Sequence, residues 1–437
     1  MKIITTPPPR KYLDILSRYF AKQVFGLLIL ITFSCQEFEP IEQGAAFEEN
    51  DIHYVDIDKA RMIASTIEFP LPQNEKQSQL KSSKVDFDVE IFGNKNVKES
   101  KSPLGKGDKA LYHIINYEEG GFIIISADDR LLPILAFSFD NEIPLSAEDD
   151  LPEGLIDWFS TQEEIIELIR DNPDAEINLE EVGSPSSSSS SSSSINLWDP
   201  CVIQRQVTAE NMSLIDPCDP GGGCEDQFTQ VGPLMNTIWG ERCGYNQFMP
   251  LIQCNPPLCN GRAFAGSTSV AYGQLMKYHS HPNFYNYNNM PHDIGTIETA
   301  TLMSDILNAF PAHQRFITCF ATHVAQDANF PIVLTNTFNY TSAQQGPFNS
   351  MTVRNNLNQN RPVILFGTGA FARMWVTDGY QRTVFCETGT THLKLHMNWG
   401  WDGNGNGFFN FNNWSVTISG ITYSFNNDKF MIFNIIP

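Results

Sequence analysis

Nine consecutive serines, Ser186 to Ser194, follow Ser184-Pro185. Such a run buries no apolar surface and stays flexible, so it cannot lie inside a packed core. The fold must come from the residues on either side of the tract. A chain of 437 residues leaves enough on each side for a sizeable core. Residues 184–194 therefore read as a linker, between a first body over 53–183 and a second over 195–437.

The two lengths differ in chemistry. Of 50 acidic and 28 basic residues, 35 and 17 precede Ile195, a net charge of -18, while 15 and 11 lie beyond it, a net of -4. No basic stripe exists on either side, which excludes a nucleic-acid binder. The acidic excess reads as a solubility feature. Eight of the nine cysteines lie after the tract: Cys201, Cys218, Cys224, Cys243, Cys254, Cys259, Cys319 and Cys386. An even number in an exported domain points to disulfides, with connectivity left open. No C-x-x-C pair occurs, so the spacing does not support zinc.

The ninth, Cys35, ends a different segment. Arg10, Lys11, Arg18 and Lys22 precede an apolar run from Val24 to Phe33, then Ser34-Cys35. The run is too short to span a bilayer and fits an export signal. A small residue before Cys resembles a bacterial lipobox, so 1–35 reads as a lipoprotein-type signal peptide with Cys35 lipidated. Residues 36–52 read as a tether. The expected location is the bacterial outer membrane or cell surface, through a lipid anchor; secretion is the alternative.

Apolar spacing predicts helices over 56–69 and 155–169. Between them, 111–127 forms a hairpin turning at Glu118-Glu119-Gly120-Gly121, and 135–138 a further strand. The first body is thus small and α+β, with 72–108 as loop or irregular strand. In the second body a helix runs from Ser267 to about His279, and short β-type runs come after it at 363–365, 375–376, 393–396 and 408–411. Asp402 to Gly407 fits half a calcium loop, but its twelfth position is Asn413 rather than Glu, so it reads as a glycine-rich turn. No metal or cofactor is expected.

Several of these tracts together resemble the streptopain family, secreted papain-like cysteine peptidases with an N-terminal prodomain. Gly120 to Arg130 with Pro133 to Ala136 resembles the prodomain signature. Val231 to Leu234 with Thr237 to Glu241, and Gly244-Tyr245-Asn246, resemble the start of the mature enzyme. Gly266 to Tyr278 resembles its central helix, and Arg373 to Tyr380 with Asn398-Trp399 its C-terminal motifs. Between Phe310 and Gln345 the likeness is weak. The resemblance implies an α+β papain-like fold, a central helix packed on an antiparallel sheet, preceded by the small α+β prodomain.

It also implies site residues. The family's nucleophilic Cys falls at Ser267, its base His at Arg373, its oxyanion-donating Gln at Glu241, and the His-orienting pair at Asn398 and Trp399. A hydroxyl does not ionise near neutral pH and needs a base. Guanidinium stays protonated and cannot be one. A carboxylate would repel a developing oxyanion. His279, His281, His292, His392 and His396 are the candidates for a substitute base, and Glu241 and Arg373 would pair across the old cleft. Cys259 reads as half of a disulfide.

The expectation is an exported streptopain-like homologue without proteolytic activity, binding a peptide or protein ligand or a related active peptidase. An active cysteine-type endopeptidase and a structural or antigenic surface protein with a vestigial cleft are the alternatives.

Overall fold

The computed structural model describes residues 51–70, 92–146, 151–178, 196–207, 226–252, 258–318, 321–367, 371–386, 390–411, 415–424 and 429–437. The signal and lipidation site, most of the tether, the serine tract, Asn413 and Cys218, Cys224, Cys254 and Cys319 lie outside them. The described residues from Ile52 onward belong to one body, 52–437. Among the described residues no helix is long and apolar enough to cross a membrane.

The first length builds helix α1 (Ile57–Thr66), strands β1 (Val97–Lys101), β2 (Tyr112–Tyr117), β3 (Phe122–Ser126) and β4 (Ile134–Ser138), and helix α2 (Glu153–Asp171). Strands β2 to β4 do not alternate apolar with polar, because both faces of their sheet are covered. Ile114, Phe122 and Ile124 face a core containing Leu155, Trp158, Ile165, Ile166 and Ile169 of α2. Ile115, Ile123 and Ile125 face another containing Ala60 and Ala64 of α1.

The second length adds α3 (Pro200–Arg205), β5 (Gln227–Val231), α4 (Ser267–His279), α5 (Ile297–Ala309), β6 (Thr322–Ala325), β7 (Ser342–Pro347), α6 (Ser350–Leu357), β8 (Val363–Gly367), β9 (Phe371–Val384), β10 (Thr391–Asn398), β11 (Gly407–Asn410) and β12 (Lys429–Ile436). Residues 310–345, where the sequence resembles nothing strongly, supply Phe310, Phe330, Leu334 and Phe338 to the core around α4. That helix is buried from Thr268 to Met276. Gly273 lets α5 approach: a Cβ there would lie 3.1 Å from the Met303 methyl. The fold is papain-like, with the central helix on an antiparallel sheet and an α+β prodomain before it.

The two lengths are not separately packed. One antiparallel path runs β7-β12-β8-β9-β10-β11-β4-β3-β2-β1, joined where Phe408 and Phe409 of β11 pair with Phe137 and Ala136 of β4. One apolar cluster holds Leu155 and Trp158 together with Trp375, Met397, Trp399 and Phe409. The linker cuts the chain in sequence, and the sheet and core rejoin it in space.

Cys243 and Cys259 form a disulfide. Cys201 and Cys386 each take part in a disulfide too, but not with one another. The turn at Asp402–Gly407 serves packing: the Gly405 N–H donates to the Glu142 carbonyl, and Asn406 Oδ1 accepts from the Trp399 N–H.

Candidate active site

The site forms where the start of α4 meets the start of β9. Gly266 precedes the helix with φ 81°, a left-handed value that suits glycine. A Cβ there would also strike the Thr322 carbonyl oxygen. Thr322 on β6 donates its hydroxyl to the Ala265 carbonyl, and the Ala265 N–H donates to the Glu241 carbonyl at 2.8 Å. Three segments distant in sequence thus fix the turn into the helix.

Ser267 is the first helical residue, not a cap. Its Oγ accepts from the Met374 N–H at 3.2 Å. Arg373 is the neighbour of Met374, so the start of α4 and the start of β9 bring Ser267 and Arg373 near each other. The Arg373 side chain reaches α2 of the first length. Its Nη1 lies 2.5 Å from Asp157 Oδ1 and its Nε 3.6 Å from Glu153 Oε2, both on α2. These are the partners that sequence reasoning missed. Two acids at i and i+4 on a helix look like a solvated face until the chain 216 residues on is placed against them.

The expected Glu241–Arg373 pair is not what forms. Glu241 is 5% exposed, and its carboxylate accepts from the Gly266 N–H. Burial first, then the Glu153 charge, hold its pKa well above the usual carboxylate range, with Arg242 opposing. Burial also raises Glu153, with Arg373 opposing. The Gly266 N–H beside the Glu241 carboxylate also lowers its pKa, but less than burial raises it.

These raised acids make stability depend on pH. An acid whose folded pKa is raised binds its proton more tightly when folded. Stability then falls as pH climbs from the unfolded value, 4.5, through the raised folded one. Glu241→Gln should flatten that decline. Urea unfolding at pH 5 and pH 8 measures it; equal losses for wild type and variant would refute the assignment. Glu153 acts in the same direction and remains in the variant.

Asn398 and Trp399 are committed elsewhere. Asn398 Nδ2 donates to the Thr237 carbonyl at 2.6 Å, and its Oδ1 accepts from Gln274 at 3.0 Å. Trp399 donates its ring N–H to the Gly405 carbonyl and packs on Trp375, centroids 5.3 Å apart. A Cβ on Gly154 of α2 would lie 2.7 Å from Trp375 and 2.9 Å from Trp399, so the helix rests directly on both rings.

Geometry removes the substitute bases. His396 pairs in register with Gly379, five residues along β9 from Met374, or about 17 Å at strand rise. It binds Asp378 at 2.6 Å, and Asp378 Oδ2 in turn accepts from the Met235 N–H. His392 lies farther along, opposite Thr383. His279 ends α4, about 18 Å from Ser267 at helical rise, and His281 lies beyond it. His292 is at Asn236, on the surface. One histidine that the sequence did not single out is near. His323 on β6 precedes Val324, which pairs with Ala372, so it leaves the ladder beside Arg373. Burial, with Arg373, pushes its pKa down to about 4.

Residues 283–409 match the profile of the Peptidase C10 family, and residues 53–166 match the Spi protease inhibitor profile. The chain is a homologue of the Peptidase C10, or streptopain, family with a prodomain. The family match contains Arg373, Asn398 and Trp399 and begins beyond Ser267 and Glu241. A fragment of Prevotella intermedia prointerpain A is similar at 17% identity and TM-score 0.47, over 78% of this chain and 99% of that one. Active wild-type Prevotella intermedia interpain A cysteine protease is similar at 18% and 0.35, over 48% and 96%. No curated protein matches the chain.

Proposed function

We propose that this C10 homologue cleaves no peptide bond and works by binding a peptide or protein segment at the altered cleft, exported and held at the bacterial surface by a lipid on Cys35. The observation that carries the reading is Arg373. The residue at the base position is a guanidinium engaged by Glu153 and Asp157. It can neither accept a proton from Ser267 nor return one to a leaving amine. Ser267 keeps its place at a helix start but has no thiol to ionise there. A buried carboxyl stands at 241, where the resemblance places an amide donor.

The active-peptidase reading keeps one specific support, His323 beside Arg373. A base held near a pKa of 4 is weak at neutral pH. Casein digestion by the intact and linker-cut protein, with and without thiol reagents, separates the readings. No cleavage above blank is expected. Cleavage lost on Ser267→Ala or His323→Ala would reverse the conclusion.

The anchoring rests on the basic segment, the apolar run and Ser34-Cys35. Metabolic labelling with a fatty acid should mark the wild type and not Cys35→Ser. Equal labelling of both would remove the anchor and leave secretion.

A further inference from the structure

We infer that residues 196–207 form a strap over the outer face of β9 and β10, and that the strap stays closed only while two basic side chains beneath it, Lys394 and His392, are uncharged. This is the face opposite α2, so the inference does not depend on how the cleft is read.

Strap and sheet enclose a buried polar layer. Leu393, Leu395 and Met397 of β10 face the core that contains α2. The alternate residues His392, Lys394 and His396 therefore point the other way. In register, Gln381 and Asn410 stand on either side of Lys394, and Thr383 stands opposite His392. Residues directly opposite share a face. Ile203 and Val207 of the strap join the apolar cluster that contains Phe408 on this side. Lys394 Nζ donates to the Gln206 carbonyl, and Gln381 Nε2 to the Val207 carbonyl, both at a long 3.4 Å. Gln206, Gln381, His392, Lys394 and Asn410 are each between 2% and 4% exposed. Gln206 Oε1 and Nε2, both ring nitrogens of His392, Gln381 Oε1 and Asn410 Oδ1 have no hydrogen-bond partner among the described residues.

No acid compensates the two bases. Asp226 pairs with Arg205 of the strap at 2.7 Å, and Asp378 pairs with His396 at 2.6 Å. Toward Lys394 and His392, β9 and β11 present only the neutral Gln381, Thr383 and Asn410. A cation enclosed there loses its hydration and gains no counter-charge. Burial alone pushes Lys394 down to about 7. Burial, then the Lys394 charge, pushes His392 down to about 3. Both groups thus hold their protons more weakly when the strap is closed. Closure should weaken as pH falls from 10.5 to about 7 through Lys394, and again from 6.5 to about 3 through His392. Inside the first window each pH unit should change the opening equilibrium roughly tenfold. The slope has the opposite sign to that of Glu241.

Amide hydrogen exchange on the full chain, divided by the intrinsic rate at each pH, reads the opening. Protection of residues 203–207 in the wild type should rise roughly a hundredfold between pH 7.5 and pH 9.5. Lys394→Met should show the same protection at both, and His392→Phe should keep the rise. Circular dichroism melting verifies that each variant folds. Titration of the lysine ε-carbons by NMR needs no variant: one lysine of the wild type should titrate near neutral pH. Wild-type protection that ignores pH, an equal rise in folded Lys394→Met, or every lysine titrating near 10.5 would overturn the inference.

Discussion

Ser267→Cys, Arg373→His and Glu241→Gln, combined in one linker-cut protein, should give thiol-dependent casein cleavage that the wild type lacks. Each change restores a different part. A thiol at position 267 would sit at the start of α4, where unpaired N–H groups favour the thiolate. An imidazole at 373 would leave the same ladder position, beside the Met374 N–H that now binds Ser267. Glutamine at 241 would exchange a buried carboxylate for a donor next to Gly266. Ser267→Cys alone should remain inactive, because arginine can stabilise a thiolate but cannot protonate the leaving amine. In a serine-peptidase triad, loss of nucleophile or base alone removes roughly 10^6 in kcat, so the variants should separate by orders of magnitude. The linker cut matters because α2 lies over Trp375 and Trp399 in the intact chain. The histidine also removes the cation that holds Glu153 and Asp157, so the cleft should open more readily in the triple variant. Recovery is limited at Asn398, which is bound to Thr237 and Gln274 and would not orient the new imidazole without moving. A triple variant as silent as wild type, when folded and cut, would mean that the lost catalytic groups are not the ones named.

The local structure was legible in the sequence where one element decides it. The 111–127 hairpin forms as β2 and β3, and the helix expected over 155–169 forms over Glu153–Asp171. The start of α4 at Ser267 comes from a glycine that the turn requires. Contact across the linker could not be read. Glu153 and Asp157 carry no local sign that a guanidinium from the far end of the chain, 216 residues beyond Asp157, will face them. The continuous sheet is equally silent, because a fully apolar strand such as Phe122–Ser126 signals two covered faces but not what covers them. His323 was missed because it lies in the stretch with the weakest motifs. The Glu241–Arg373 expectation failed for a definite reason. It considered only the charges of the second length, and the prodomain supplied two acids that took the arginine.

Trp158→Ala should cost the whole body roughly 3–5 kcal/mol, the usual range for removing a large buried aromatic. Its side chain is 3% exposed and lies in the cluster that spans both lengths, with ring centroids 5.0 Å from Phe409 and 5.4 Å from Phe159. Its ring N–H is the donor to the Asn410 carbonyl. Truncation therefore opens a cavity at the joint and leaves a buried acceptor unpaired. Trp158→Phe keeps most of the apolar body and removes only the donor, so about 1–3 kcal/mol of the loss should remain. Urea unfolding followed by circular dichroism measures both. Because Trp158 packs on strands that continue into β9 and β10, the curve should stay a single transition and move as a unit. Two bodies with independent cores would behave otherwise: the variant would split the curve, shifting the part that contains α2 and leaving the rest in place. A loss below about 1 kcal/mol would show that the joint is not packed as described.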